Sequence, residues 1–161
     1  MTPDRRTAIL EALADHLLAE GLAASSLREL AAAAGTSDRM LLYYFRDKAE
    51  LMEAALATVA ARLTAILGAS AAPPQPLVDV IARMAEQIRD PAQWPYQRLF
   101  LEIASLAAAG DPVYRVLGEQ LGRGFFAWGA AQIAADDETA RARDAARLLI
   151  LCEGMVFLRA I

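Results

Sequence analysis

The side chains best placed to do chemistry are Asp38, Arg39, Met40, Tyr43 and Tyr44, with Lys48 just beyond them. Aromatic hydroxyls and cations along one short helix suit phosphate oxygens and base edges in a DNA major groove. Arg28 and Ser37 lie upstream and join this DNA-facing set. A plain helical hairpin with a solvated polar face carries the same local pattern, so spacing alone leaves both readings open. Catalysis has no comparable set. The chain holds one histidine, His16, and one cysteine, Cys152, with no nucleophile elbow, phosphate loop or metal-ligand cluster. A lone histidine has no partner set for a metal, and His16 reads as a packed or surface side chain. The expectation is a non-enzyme with no cofactor and no metal site.

Two short helices and a tight turn must position the DNA-facing set. Ser26 is suited to accept the N–H of Glu29, and Glu29 to reach back to Ser26, which opens the first helix with a capping box. Leu27, Leu30 and Ala31 share its inner face, and Gly35 supplies the left-handed residue that ends it. Ser37 is the next N-cap, with Asp38 at the positive end of the helix dipole. Leu41 and Phe45, four apart, point inward together. Asp47, with Glu50 three residues on, caps a long third helix. The pattern is a helix-turn-helix.

Residues 5 to 53 resemble the N-terminal domain of the TetR family of bacterial transcriptional regulators. The matching residues are Arg6, Ile9 and Leu10, Gly21, Ser26-Leu27-Arg28-Glu29-Leu30-Ala31, Ala34-Gly35-Thr36-Ser37, Leu41, Tyr43-Tyr44-Phe45, Lys48 and Leu51. They hold many fixed spacings over about a third of the chain; the remainder matches in layout alone. The pattern departs at Leu42, where a phosphate-binding tyrosine is usual, and at Met40, where a small residue is usual. The resemblance implies a DNA-binding repressor whose last two helices pair with their copies in a four-helix dimer bundle.

Composition bounds the rest. The 161 residues are 57% hydrophobic, much of it alanine, the best helix former. With no alternating β-branched run, the expected class is all-α, with eight to nine helices. The net charge of −4 is unusual for a protein that must neutralise phosphates. Residues 1–50 carry six cations (Arg5, Arg6, Arg28, Arg39, Arg46, Lys48) and eight acids. Placement must compensate, with Glu11, Asp15 and Glu20 facing away from the duplex. The charged N-terminus gives no signal-peptide pattern. The apolar stretches 99–109 and 148–158 are interrupted by Glu102 and Glu153 and are too short to span a bilayer. A cytoplasmic protein with no membrane partner is expected. The apolar end Met155 to Ile161 lacks a C-cap and fits a trimmed terminus.

Along the chain, Thr2 and Pro3 are expected to open the first helix and Gly21 to end it. The helix from Lys48 runs to about Leu67, and Gly68 to Pro76 is a proline-rich loop. Helices follow over 77–89, 94–109, 112–134 and 138–159, with Asp90-Pro91, Gly110-Asp111-Pro112 and Asp136-Asp137 as boundaries. The division is a DNA-binding head, 1–47, and a ligand-binding and dimerisation body, 48–161.

The body's aromatic and methionine side chains suit either core filling or a ligand site between helices. The sequence expectation is a cavity among the helices carrying Met84, Phe100 and Tyr114, with Ile103 beside it and Glu102 as the polar group orienting a small hydrophobic effector. Glu153 sits in a similar apolar setting. Glycine in a helix costs about 1 kcal/mol against alanine, so Gly118, Gly122 and Gly129 point to close helix approach. Gly118, Gly122, Leu149 and Val156 are expected at a homodimer interface. The leading reading is a homodimeric regulator of double-stranded DNA, a repressor released by ligand. The alternative is a helical ligand-carrying or protein-binding dimer that no longer reads DNA, motivated by Met40, Leu42 and the acidic head.

Overall fold

The capping residues set where the helices begin. In a computed structural model that describes residues 4–69 and 73–161, helices α1 (Arg5–Glu20), α2 (Leu27–Ala33) and α3 (Asp38–Tyr44) form the N-terminal part. Helices α4 (Lys48–Ala69), α5 (Leu77–Arg89), α6 (Trp94–Ala108), α7 (Pro112–Gln132) and α8 (Glu138–Ala160) follow, with a 3-10 turn over Pro91–Gln93. The class is all-α; among the described residues the one β-type contact is a single parallel bridge between Gln75 and Ile133.

Side-chain caps account for most starts. Asp111 accepts from the N–H groups of Val113 and Tyr114, and Pro112 follows it. Asp137 accepts from Ala140 at 2.7 Å, and Asp90 from Ala92 at 2.9 Å. Two boundaries differ from the sequence expectation. Thr2 and Pro3 lie outside the described residues, and α1 starts at Arg5 with Asp4 as an N-cap that makes no side-chain cap bond. Gly68 belongs to the last turn of α4, because the prolines that end the helix begin only at Pro73.

One apolar cluster runs through the N-terminal part into the rest of the chain. Ile9, Leu13 and Leu17 of α1, Leu30, Leu41 and Phe45 meet Leu51, Ala55 and Leu56 of α4, then Leu99, Ile103 and Leu117. A second cluster holds Val80, Ile133, Ala145 and Leu148, with Met84 and Phe126 against it. Gly129 is where α7 and α8 approach closely, since a Cβ there would lie 3.2 Å from Leu148 Cδ2. A Cβ at Gly118 or Gly122 would meet nothing within 4 Å, so neither serves close packing inside the chain. Among the described residues, helix α4, rather than 99–109 or 148–158, is the one long and apolar enough to cross a membrane by length and composition, with mean hydropathy 1.5 over Lys48–Gly68. In this structure its inner face is part of the shared core.

Candidate functional site

The turn between α2 and α3 is built as its residue types dictate. The Glu29 N–H donates to Ser26 Oγ at 3.3 Å and the Ser26 N–H to Glu29 Oε2 at 2.9 Å, a complete capping box. Those bonds hold the Glu29 carboxyl below its ordinary pKa. Gly35, at φ +59, lets the chain reverse, and the Thr36 N–H returns to the Ala31 carbonyl at 2.9 Å. Ser37 Oγ accepts from Met40 at 3.3 Å and starts α3. At the head of α4, Asp47 accepts from Glu50 at 2.9 Å, while the Glu50 carboxylate takes the N–H of Arg46.

Leu41 and Phe45 are fully buried, which turns the opposite face of α3 outward. Ser37, Asp38, Arg39, Met40 and Tyr43 are all exposed, Tyr43 at 77%. Tyr44 is half-buried, with its ring edge-on to Tyr43 at 5.2 Å. Arg28 and Lys48 are exposed on α2 and at the start of α4. Of the eight sequence-expected positions, on α2, at the N-cap and along α3, and at the start of α4, seven are exposed and Tyr44 is half-buried. Leu42 of α3 is also exposed, at 48%. Acid placement offsets the unfavourable charge: Glu11 and Asp15 turn to Arg62 of α4, which bonds Asp15 Oδ1 at 2.7 Å and pairs with Glu11. His16, half-buried, donates from Nε2 to the Ala24 carbonyl at 2.7 Å and ties α1 to the next loop.

A cavity of 130 Å³ lies in the remainder of the chain, walled by α4, α5, α6, α7 and α8. Tyr96, Phe100, Phe125 and Trp128 give it aromatic walls, with Phe100 and Phe125 edge-to-face at 5.9 Å. Met84 and Phe100 line it as expected. Ile103 is buried core beside a smaller void of 30 Å³, and Tyr114 packs against the first cluster instead. Burial, with the charges of Asp111 and Glu102, pushes the Tyr114 hydroxyl pKa up.

Glu102 is the main correction. It faces the N-terminal part, not the cavity: Glu102 Oε2 accepts the Leu22 N–H at 2.5 Å, and Oε1 lies 3.6 Å from Arg98 Nε. Arg98 Nη2 in turn bonds the carbonyls of Leu18 and Ala19, both at 3.0 Å. Those carbonyls are orphans of the last turn of α1, and a cation is favoured there. Gly21, at φ +80, leaves the space; a Cβ would lie 2.5 Å from Glu102 Oε1. The acid that does line the cavity is Glu153, and burial raises its carboxyl pKa. A sequence signal separates the two. Glu102 has Arg98 one turn away, whereas Leu149, Ile150, Val156 and Phe157 surround Glu153 along its own helix.

Two expected interface residues also move inward. Leu149 and Val156 line the cavity because α8 turns Ala145, Leu148, Cys152 and Val156 to the interior. Its exposed apolar strip is Ile150, Leu151, Phe157 and Leu158. Trp128 Nε1 is buried with no acceptor among the described residues. At the end of α8, Arg159 bonds the Ile88 carbonyl and Gln97 Oε1 and stacks over Trp94 at 5.0 Å, fastening α8 to α5 and α6.

Comparison with known proteins agrees with this arrangement. Residues 9–55 match the model of bacterial regulatory proteins of the tetR family. No curated protein matches the chain. Among solved structures, a transcriptional regulator from Rhodococcus sp. Rha1 is similar over 94% of this chain and 81% of its own, at 25% identity and a TM-score of 0.74. Salmonella enterica GusR shares the fold over the same fractions, at 20% identity and a TM-score of 0.67. The exposed second helix of a capped helix-turn-helix and the family match over that unit together identify residues 9–55 as an N-terminal domain of the kind found in bacterial regulatory proteins of the tetR family, carried on an all-α chain.

Proposed function

We propose that the chain is a homodimeric repressor acting in the cytoplasm. Residues 1–47 are the reading head and 48–161 the ligand-binding and dimerisation body. Two heads read the halves of a palindrome in successive major grooves, and a small hydrophobic effector in the body releases them. Asp38, Arg39, Met40 and Tyr43 are the base-facing side chains; Arg28, Ser37, Tyr44 and Lys48 hold phosphates.

The observation that carries this reading is that α6 serves both sites. Tyr96, Gln97 and Phe100 line the cavity, while Arg98 and Glu102 of the same helix hold the end of α1 and the Leu22 N–H. A ligand that moves α6 moves the head. It does so only if it prefers the arrangement that cannot bind DNA, because equal affinity for both shifts nothing. The dimer contact is the exposed α8 strip, with the open face of α7 at Gly118 and Gly122 beside it.

Transcription in vitro from a promoter overlapping a selected binding site tests the reading. Transcript should fall as the protein is added and recover on addition of a cavity ligand. Transcript that rises with protein, or stays repressed when the cavity is filled, would exclude release of a repressor.

A further inference from the structure

We propose that the effector is a small aromatic amine, bound as its ammonium ion with Glu153 as counter-ion. The inference rests on reading the cavity as the effector site. Among the described residues Glu153 is the one carboxylate on the cavity wall. Other half-buried acids of the body have partners: Glu102 takes the Leu22 N–H, Asp144 faces Arg147 at 3.2 Å, and Asp111 caps α7. Among the described residues no cation lies within ion-pair distance of Glu153 and no donor bonds it. Burial is the sole cause that raises its pKa. A partnered charge is tolerated in an apolar wall; an unpartnered one is costly, so a site that keeps it calls for a partner from outside.

The walls fit the same ligand. Tyr96, Phe100, Phe125 and Trp128 offer ring surfaces, which attract organic cations and stack on an aromatic ligand. The volume of 130 Å³ is near the ~150 Å³ of a cavity that admits benzene, which sets the scale of the ligand at one ring. Gln97 is already engaged by Arg159 and the Ile88 carbonyl, which leaves Glu153 as the charged anchor. An apolar hydrocarbon would leave the carboxylate unpaired, and an anion would be repelled by it.

The test uses the full chain, 2-phenylethylamine and its uncharged counterpart 2-phenylethanol, with calorimetry at neutral pH. The amine should bind at least about tenfold more tightly, the worth of a charge-assisted hydrogen bond. In Glu153→Gln the two affinities should converge, while Glu153→Asp should keep part of the preference. If the wild-type chain binds both compounds equally, or Glu153→Gln keeps the full preference, the ammonium assignment is overturned and the cavity reading stands. If neither compound binds at millimolar concentration, both fall.

Discussion

Glu153 lies among apolar neighbours with no counter-ion among the described residues, and its effect on stability depends on pH. Burial raises its folded carboxyl pKa above the ordinary 4.5. A raised folded pKa means that the contribution is fully present in acid and is lost as pH climbs through the folded value. Glu153→Gln has no such loss. Its melting temperature should match the wild type near pH 4 and exceed it increasingly towards neutrality; a pH-independent difference would show a solvated carboxylate. Cys152 next to it is a second reporter. Burial first, then the charge of Glu153, pushes its thiol up to about 11, so it stays protonated at neutral pH and should alkylate far more slowly than free cysteine. On the reading helix, Arg39→Ala should weaken specific DNA binding by about 1–3 kcal/mol. Lys48→Ala should instead lower the salt slope by about one unit. Unchanged affinity and selected sequence in Arg39→Ala would remove Arg39 from the base contacts. At this scale the sequence distinguished charged from apolar positions but not their targets. Glu102 and Glu153 both interrupt apolar helix, and only the Arg98 partner one turn away marks Glu102 as already engaged.

Helix starts were the most legible elements, because a cap is a local event between residues two or three apart. Ser26, Ser37, Asp111 and Asp137 all cap as their types imply. Helix faces were less legible. Helix α8 is apolar nearly all round, so periodicity does not say which strip meets α5 and α7 and which meets a partner. Tertiary packing decides, and it sends Leu149 and Val156 to the cavity. The contact between α1 and α6 was not legible at all, since it joins residues 80 apart in sequence through backbone groups. Gly21 is its sensitive point. With φ +80 and ψ −171 it occupies backbone space that is essentially reserved for glycine, and Glu102 fills the room beside it. Gly21→Ala should cost about 1–3 kcal/mol in urea unfolding. Adding Glu102→Ala removes the clash but not the backbone cost, so the double variant should not recover fully. Wild-type stability in Gly21→Ala would disprove the contact as described.

For the whole molecule, the exposed α8 strip and the reading helix make one joint claim: two copies must associate for two heads to reach successive grooves. Ile150 is 71% exposed and Leu158 68%, a substantial apolar surface to leave in water. Leu158→Glu should place a charge in that contact, convert dimer to monomer by light scattering and weaken binding to a full palindrome, while leaving the melting of each chain nearly unchanged. An intact dimer would move the interface elsewhere. The most direct measurement of the central claim is selection of duplexes by the full chain from a random DNA library, repeated at two salt concentrations. The expected result is a two-fold symmetric site, half-site centres about one helical turn (34–36 Å) or a multiple of it apart, with affinity falling steeply as salt rises. No enriched sequence, or an enriched motif without two-fold symmetry, would contradict it.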